Sequence, residues 1–335
     1  MAEKPRRTTV ADVARLAGVS AMTVSNVLNA PHRVAPPTVQ IVRAAIEELG
    51  YIPNHAARAL SSGRSQVIGL PLYFEDDDDT DTGLGGVLHG LLGGLVKAAA
   101  VSGYGVHVTT PTEGATEIAL AEIALYEKLI AARQVDAIVV LETMPNDPRI
   151  EFLSRRRFPF VAFGRTAAGQ RQCWVDVDNA TSMAGIAEYL RSTGRRRAVY
   201  LATDGALPWV HQRQDGFVRQ FPSTDARSFG SFEAVAAYVE EAELPDVFVA
   251  DNDAYAVVAM RTLQRRGIAV GQDVAVTGFN DFPFASMLDT PLTTARIPLA
   301  DIAKCLFERA LHEIAGEPDE PGRLVTAPLV VRSSA

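Results

Sequence analysis

Cysteine is scarce. The chain has only Cys173 and Cys305, far apart and outside any paired spacing, so buried free thiols are expected and no disulfide framework, zinc site or redox motif. Long apolar runs are missing too: none approaches the roughly 20 residues that cross a bilayer. The opening Met1-Ala2-Glu3-Lys4-Pro5-Arg6-Arg7 lacks the apolar core of a signal peptide, so a cytoplasmic chain without a membrane partner is expected. The sequence contains no Walker loop, no Gly-x-Ser-x-Gly elbow and no His-Glu-x-x-His. Its Gly-rich stretch, Gly83-Leu84-Gly85-Gly86-Val87-Leu88, lacks the third glycine of a dinucleotide loop. These gaps argue against an enzyme, and no catalytic residue, cofactor or metal is expected. Positive charge is also short, with a net charge of −8, which by itself would argue against a nucleic-acid partner.

That charge is unevenly spread. Residues 1–65 hold eight Lys/Arg and four acids, a net of +4, which leaves −12 for the remainder. A basic head on an acidic body suits phosphate contacts made by the head alone. Within it, Thr9 caps a helix in a Ser/Thr-x-x-acid arrangement with Asp12, and Val10, Val13, Ala14 and Ala17 share one face. Gly18 permits a turn, Ser20 is a second N-cap, and Val24, Val27 and Leu28 form an inner stripe. The pattern reads as helix-turn-helix, with Ala21, Met22, Ser25 and Asn26 on the outer face. By itself this pair is more often an ordinary helical hairpin, since short helix pairs joined by glycine are common. Pro36-Pro37-Thr38 opens a third helix with apolar positions Val39, Val42, Ala45, Ile46 and Leu49, and Gly50 ends it. Residues 55–60 have helix-forming composition behind Asn54, but fewer than about 12 residues rarely stay helical alone. That helix needs a partner to exist.

From Val67 the pattern alternates. With 335 residues and 47% hydrophobic content, about two domains' worth of core is available. Apolar runs at 67–73, 105–110, 137–141, 160–163, 198–202, 247–250 and 274–279 suit buried parallel strands. Amphipathic stretches at 84–101, 116–133, 179–193, 211–221, 232–242, 253–266 and 299–315 separate them. The expected fold is α/β: a three-helix head and a hinge helix, then two doubly wound parallel-sheet subdomains with ligands beyond the carboxyl ends of the strands.

Taken together, these residues resemble the LacI/GalR family of bacterial transcription regulators. The likeness rests on TVADVARLAGVS, TVSNVLN, ELGYIPNHAARAL and Ile68-Gly69-Leu70. It continues through Val135-Asp136-Ala137-Ile138, Phe163-Gly164-Arg165, Val175-Asp176-Val177-Asp178-Asn179, and Arg213 ahead of Gly216-Phe217. Asn252-Asp253, Gly278-Phe279-Asn280-Asp281, Pro291-Leu292-Thr293-Thr294 and the final Leu329-Val330-Val331-Arg332-Ser333 complete it. The resemblance implies a homodimeric, ligand-responsive repressor reading a near-palindromic operator, with a sugar or sugar derivative as effector. A solute-binding transport protein would fit the body alone, but not the attached head.

The resemblance also implies residue roles. Ala21, Met22 and Asn26 would face base edges, while Thr9, Ser20, Thr23, Ser25 and Asn29 would serve phosphate contacts or capping. Asn54, His55 and Arg58 would contact phosphate or the minor groove, Ala57 would let paired hinge helices approach, and Leu60 would wedge into the central base step. Arg213, Asn252 and Asn280 would hold effector hydroxyls, with Tyr73, Trp209 and Arg165 nearby. Asp253 reads as structural or as a helix N-terminal acid, and Phe74 and Phe282 as stacking or core residues. The acidic run Glu75-Asp76-Asp77-Asp78-Asp79 is a cation or basic-ligand site, or simply solvated. The Arg155-Arg156-Arg157 and Arg195-Arg196-Arg197 runs should meet carbonyl ends and solvent. The expected division is a head at 1–53, a hinge at 54–65, one effector subdomain at 66–166 and 297–324, and another at 167–296 and 325–335.

Overall fold

Thr9 sets the first helix by exchanging hydrogen bonds with Asp12. Its hydroxyl accepts the Asp12 N–H (3.3 Å) and its own N–H donates to the Asp12 carboxylate (3.0 Å), a closed capping box. In the computed structural model, which describes residues 8–29, 31–51, 63–72, 84–111, 118–166, 172–317 and 322–335, this helix is α1, Val10–Ala17. Gly18 adopts the left-handed φ of 65° that reverses the chain. The Ser20 hydroxyl then accepts the Thr23 N–H (3.1 Å) and starts α2, Ala21–Asn29. Prolines in the first turn begin α3, Pro36–Glu48, and Gly50 at φ 56° ends it. Val13, Val24, Val27 and Val42 interlock with Ala14, Ala45 and Tyr51 as a small core. Tyr51 is the one member the apolar spacing did not assign to it.

The chain divides into two units, residues 1–65 and 66–335. In the second, two parallel sheets form because their central strands are short, apolar and buried on both faces. The first sheet contains β1 (Val67–Pro71), β2 (Gly105–Thr109), β3 (Ala137–Val140), β4 (Phe160–Phe163), β5 (Trp174–Val177) and β11 (Gly322–Val325), in the order β11-β5-β4-β3-β1-β2. Helices α4 (Leu84–Val101) and α11 (Leu299–Ala315) cover one face, α5 (Ile118–Ala131) and α6 (Pro148–Arg156) the other.

The second sheet contains β6 (Ala198–Thr203), β7 (Thr224–Phe229), β8 (Val247–Ala250) and β9 (Ala275–Thr277), in the order β7-β6-β8-β9. It lies between α7 (Asn179–Ser192) and α8 (Pro208–Gln220) on one face and α9 (Phe232–Glu241) and α10 (Asp253–Arg265) on the other. A short antiparallel pair, β10 (Thr294–Ala295) and β12 (Leu329–Val330), sits beside it. The chain passes between the sheets after Val177, after Ala295 and after Val325.

Several expectations change. The crossing expected at 167 comes ten residues later, because Trp174–Val177 pairs with β4 on one side and β11 on the other. Asp176 and Asp178 had broken the apolar run and hidden this strand. The edge strand β7, Thr-Asp-Ala-Arg-Ser-Phe, escaped notice because an edge tolerates charge. Helix α6 was also missed, and α8 begins at Pro208, not at 211.

The glycines of α4 serve close packing. A Cβ on Gly90 would lie 2.4 Å from Leu299, and one on Gly94 2.5 Å from the Ala303 Cβ. Cys173 and Cys305 are buried and unbridged. Arg195 donates to the Gly271 carbonyl (3.0 Å) and Arg196 to that of Arg191 (3.0 Å), as expected of that run. No helix among the described residues is long and apolar enough to cross a membrane.

Candidate functional site

Two surfaces carry the candidate residues, one in each unit. On the head, burying Val24 and Val27 turns the opposite side of α2 outward, so Ala21, Met22 and Asn26 are exposed, Met22 by 69%. Ser20 and Thr23 bond each other, hydroxyl to hydroxyl at 2.9 Å, and Thr9 is occupied by Asp12. These three are caps first. Ser25 is half-buried on the helix flank and Asn29 ends the helix. The outer face carries no formal charge, so direct recognition there rests on the Asn26 amide and on apolar contacts. Asn54, His55, Ala57, Arg58 and Leu60 lie outside the described residues.

In the second unit a cleft of about 780 Å³, counted to its open mouth, lies between the carboxyl ends of the two sheets. The first sheet contributes Leu141, Glu142 and Thr143 after β3, Phe163, Gly164 and Arg165 at the end of β4, and Asp176 from β5. Val87, Leu88 and Leu91 of α4 supply an apolar wall. From the second half come Trp209, Gln212 and Arg213 of α8, Asn252 beyond β8 and Asn280 beyond β9. Asn179 opens α7 between the halves.

Arg213 is the centre of this arrangement. Its Nε donates to the Asn179 side-chain oxygen (2.9 Å) and its Nη1 to the Asp251 carbonyl (2.7 Å), while among the described residues Nη2 makes no hydrogen bond. The guanidinium is stacked between Phe279 (3.8 Å to the ring centre) and Trp209 (4.5 Å). Burial pulls it down to about 10, so it stays charged at neutral pH. Asp251 beneath it accepts from the Thr203 N–H (2.6 Å), and burial pushes its carboxyl up to about 6.

Asn280 stands at φ 120°, and its buried side-chain oxygen has no partner among the described residues. An orphaned buried acceptor costs about 1–3 kcal/mol, which a donor on a ligand would recover. Asn252 lines the cleft, but its amide is largely committed. The oxygen caps α10 by accepting the Tyr255 N–H (2.8 Å), and Nδ2 donates to Asp251 (2.8 Å) and Thr203 (3.2 Å). Arg165 is tied through Nε to Asp176 (2.8 Å), whose carboxyl burial raises. Trp209 offers a ligand only the parts of its ring that Arg213 leaves uncovered.

Tyr73, Phe74 and the acidic run lie outside the described residues. Phe282 packs in the core, close enough to Gly86 that a Cβ there would lie 2.4 Å from its ring. Asp253 is wholly buried and structural: it accepts from the Phe282 N–H (2.9 Å) and the Thr294 hydroxyl (2.6 Å). Sequence reasoning missed Asn179, Gln212 and Asp176. The available signal was position for two of them, since Asn179 begins a helix and Gln212 adjoins Arg213, while Asp176 lies in the strand its own charge had hidden.

Comparison with known proteins is consistent with both surfaces. Residues 9–54 match the bacterial regulatory proteins of the lacI family, and residues 187–335 match the periplasmic binding protein-like domain. The chain is 28% identical to the HTH-type transcriptional regulator CelR of Thermobifida fusca, covering 99% of both. It resembles the solved CelR–cellobiose complex with a TM-score of 0.68 at 26% identity, over 98% of this chain and 100% of that one. The lac repressor dimer bound to operator shares the fold with a TM-score of 0.82 at 22% identity, over 98% of this chain and 99% of that one. The HTH-type transcriptional regulator GalS of Salmonella typhimurium is 31% identical over 97% of this chain and 95% of its own length. A likeness of that degree, running from the helix pair through the cleft, makes this chain a member of the LacI/GalR family of bacterial transcription regulators, which are not enzymes.

Proposed function

We propose that the chain is a cytoplasmic, dimeric repressor whose operator affinity is set by an uncharged sugar held between the two sheets. The observation that carries this reading is the unspent pair in the cleft, the Arg213 Nη2 donor and the partnerless Asn280 oxygen. A hydroxyl both donates and accepts, so a polyol satisfies the two together. The charge balance favours a neutral ligand. Arg165 is paired with Asp176, and the nearby acids Asp251, Asp253 and Asp176 offset the charge of Arg213, so among the described residues the field in the cleft does not call for a phosphate. Leu88, Phe163 and Trp209 supply the apolar surface that a sugar ring face covers.

In this reading Ala21, Met22 and Asn26 face the major groove and Leu60 wedges open the central base step from a hinge at 54–65. Ligand binding changes the angle between the halves and the spacing of paired hinge helices, which are too short to fold unsupported. Operator affinity follows that spacing.

The test begins by selecting binding sites from random duplex DNA. The selected duplex is then titrated with the full-length protein in the presence of cellobiose, maltose, galactose or glucose 6-phosphate. Enrichment of near-palindromic sites, with affinity shifted by a neutral sugar and not by the phosphate, is expected. A response to the phosphate alone would overturn the neutral-ligand reading, and no sequence enrichment would overturn operator recognition.

A further inference from the structure

Behind the cleft wall of the first sheet lies a buried ionic cluster that touches no ligand surface. Arg149, near the start of α6, is 7% exposed, and Glu122 and Asp147 are buried at 4% and 1%. Arg149 grips Asp147 with two nitrogens, Nε to Oδ1 (3.0 Å) and Nη2 to Oδ2 (2.7 Å), and reaches Glu122 through Nη1 (2.6 Å). Burial raises the Glu122 carboxyl. It pushes Asp147 the same way, but the bonds from Arg149 outweigh it and hold that carboxyl low. Two acids around one guanidinium make a poor way to gain stability, since apolar packing of similar volume does as well or better.

The geometry points to a different use. Arg149 Nη2 also donates to the backbone carbonyl of Glu142 (3.0 Å), a cleft residue held at φ 51°. Asp147 accepts the N–H of Met144 (3.0 Å), and its own N–H donates to the Thr166 hydroxyl (3.1 Å) beside Arg165. Thr143, between these anchors, donates to the Phe163 carbonyl (3.2 Å). One buried cluster therefore fixes both turns that form this side of the cleft, including a left-handed residue that would otherwise relax.

We propose that Arg149 is a positioning residue for the effector cleft, presetting the turns at 141–147 and 164–166 through Asp147, Glu122 and Thr166. This rests on the cleft being the effector site. The test compares wild type, Arg149→Met, Arg149→Lys and Thr166→Val in the full-length protein. Thr166→Val removes the hydroxyl that accepts the Asp147 N–H and leaves Arg149, Asp147 and Glu122 in place.

Amide hydrogen exchange without ligand should rise at least about tenfold at Met144, Asp147 and Thr166 in Arg149→Met, with the second sheet and the head unchanged. Arg149→Lys should restore it only in part, because one ammonium cannot span Asp147, Glu122 and the Glu142 carbonyl. Thr166→Val should raise exchange at Asp147 and spare Met144. Trp209 lines the cleft and the cleft residue Arg165 lies over Trp174, so tryptophan fluorescence reports cellobiose binding directly. Its midpoint should rise at least about tenfold in Arg149→Met, while operator affinity without sugar stays at the wild-type value.

Exchange that is unchanged in the two turns, or raised equally throughout the chain, would overturn the proposal. So would a cellobiose midpoint that does not move. A wild type that ignores cellobiose counts against that sugar as effector, and the exchange measurement still decides the role of Arg149.

Discussion

Asp253 is wholly buried at the first position of α10, and burial pushes its carboxyl up to about 7. A carboxyl whose pKa is higher folded than unfolded contributes stability that is fully present below its ordinary value of 3.8 and lost as pH rises to the folded value. Asp251, raised to about 6, has the same sign. Asp147 and Asp246 have lowered values and act oppositely, but only below about pH 4. The melting temperature should therefore fall between about pH 4 and pH 7 and level off above, and Asp253→Asn should make that fall shallower. An asparagine keeps both bonds by accepting from Phe282 and donating to Thr294. Thermal melts across that range check this.

At Arg213 the expected outcome concerns response. Arg213→Met retains bulk between Trp209 and Phe279 but strips donors from the Asn179 oxygen and the Asp251 carbonyl, costing about 1–3 kcal/mol for each buried acceptor left unpaired. Sugar titrations against the selected operator should show no response, with sugar-free binding retained. A normal response would remove Arg213 from the site.

At the scale of elements, α4 offers an internal contrast. Gly93 and Gly94 are neighbours, yet a Cβ on Gly93 meets nothing within 4 Å, whereas one on Gly94 lies 2.5 Å from the Ala303 Cβ. Gly93→Ala should stabilise the protein by about 0.5–1 kcal/mol through helix propensity. Gly94→Ala should destabilise it by about 1–3 kcal/mol through overpacking against α11. Urea denaturation of the two variants distinguishes the signs. The contrast also marks what an amphipathic pattern can reveal: it locates α4, but which glycines are required depends on the partner helix. Likewise β5 and β7 were hidden because their polar residues face a cleft and an edge, which a one-dimensional pattern reads as loop.

For the whole molecule, head and cleft must communicate reciprocally. If a sugar weakens operator binding by some factor, operator must weaken sugar binding by that same factor. Titrating sugar by tryptophan fluorescence with and without operator gives one factor and titrating operator with and without sugar gives the other; a sugar affinity that operator leaves unchanged would break the coupling of head and cleft. At the hinge, Leu60→Ser should reduce operator bending and lower affinity, as read by a gel-shift bending assay. Wild-type bending in that variant would remove the wedge role. Sedimentation should give a dimer that binds two half-sites.

Much of this protein is determined locally and can be read directly from the chain. Thr9 with Asp12, Gly18, Ser20 and the paired prolines of α3 are short-range devices whose hydrogen bonds close within four residues. The helix-turn-helix and the alternation of strands and helices followed from them and from apolar spacing. Arg213, Asn252 and Asn280 were identified by the motifs around them. What only the tertiary structure decided is which polar groups remain unspent. Asn252 is occupied by capping and by Asp251, Asp253 by Phe282 and Thr294, and Arg165 by Asp176, all through partners distant in sequence or fixed by a helix start. The Arg213 Nη2 and the Asn280 oxygen are left over because two sheets, remote along the chain, place their strand ends around one cleft. Which groups stay unspent at the mouth of a cleft depends on partners remote along the chain, so it has no local signature.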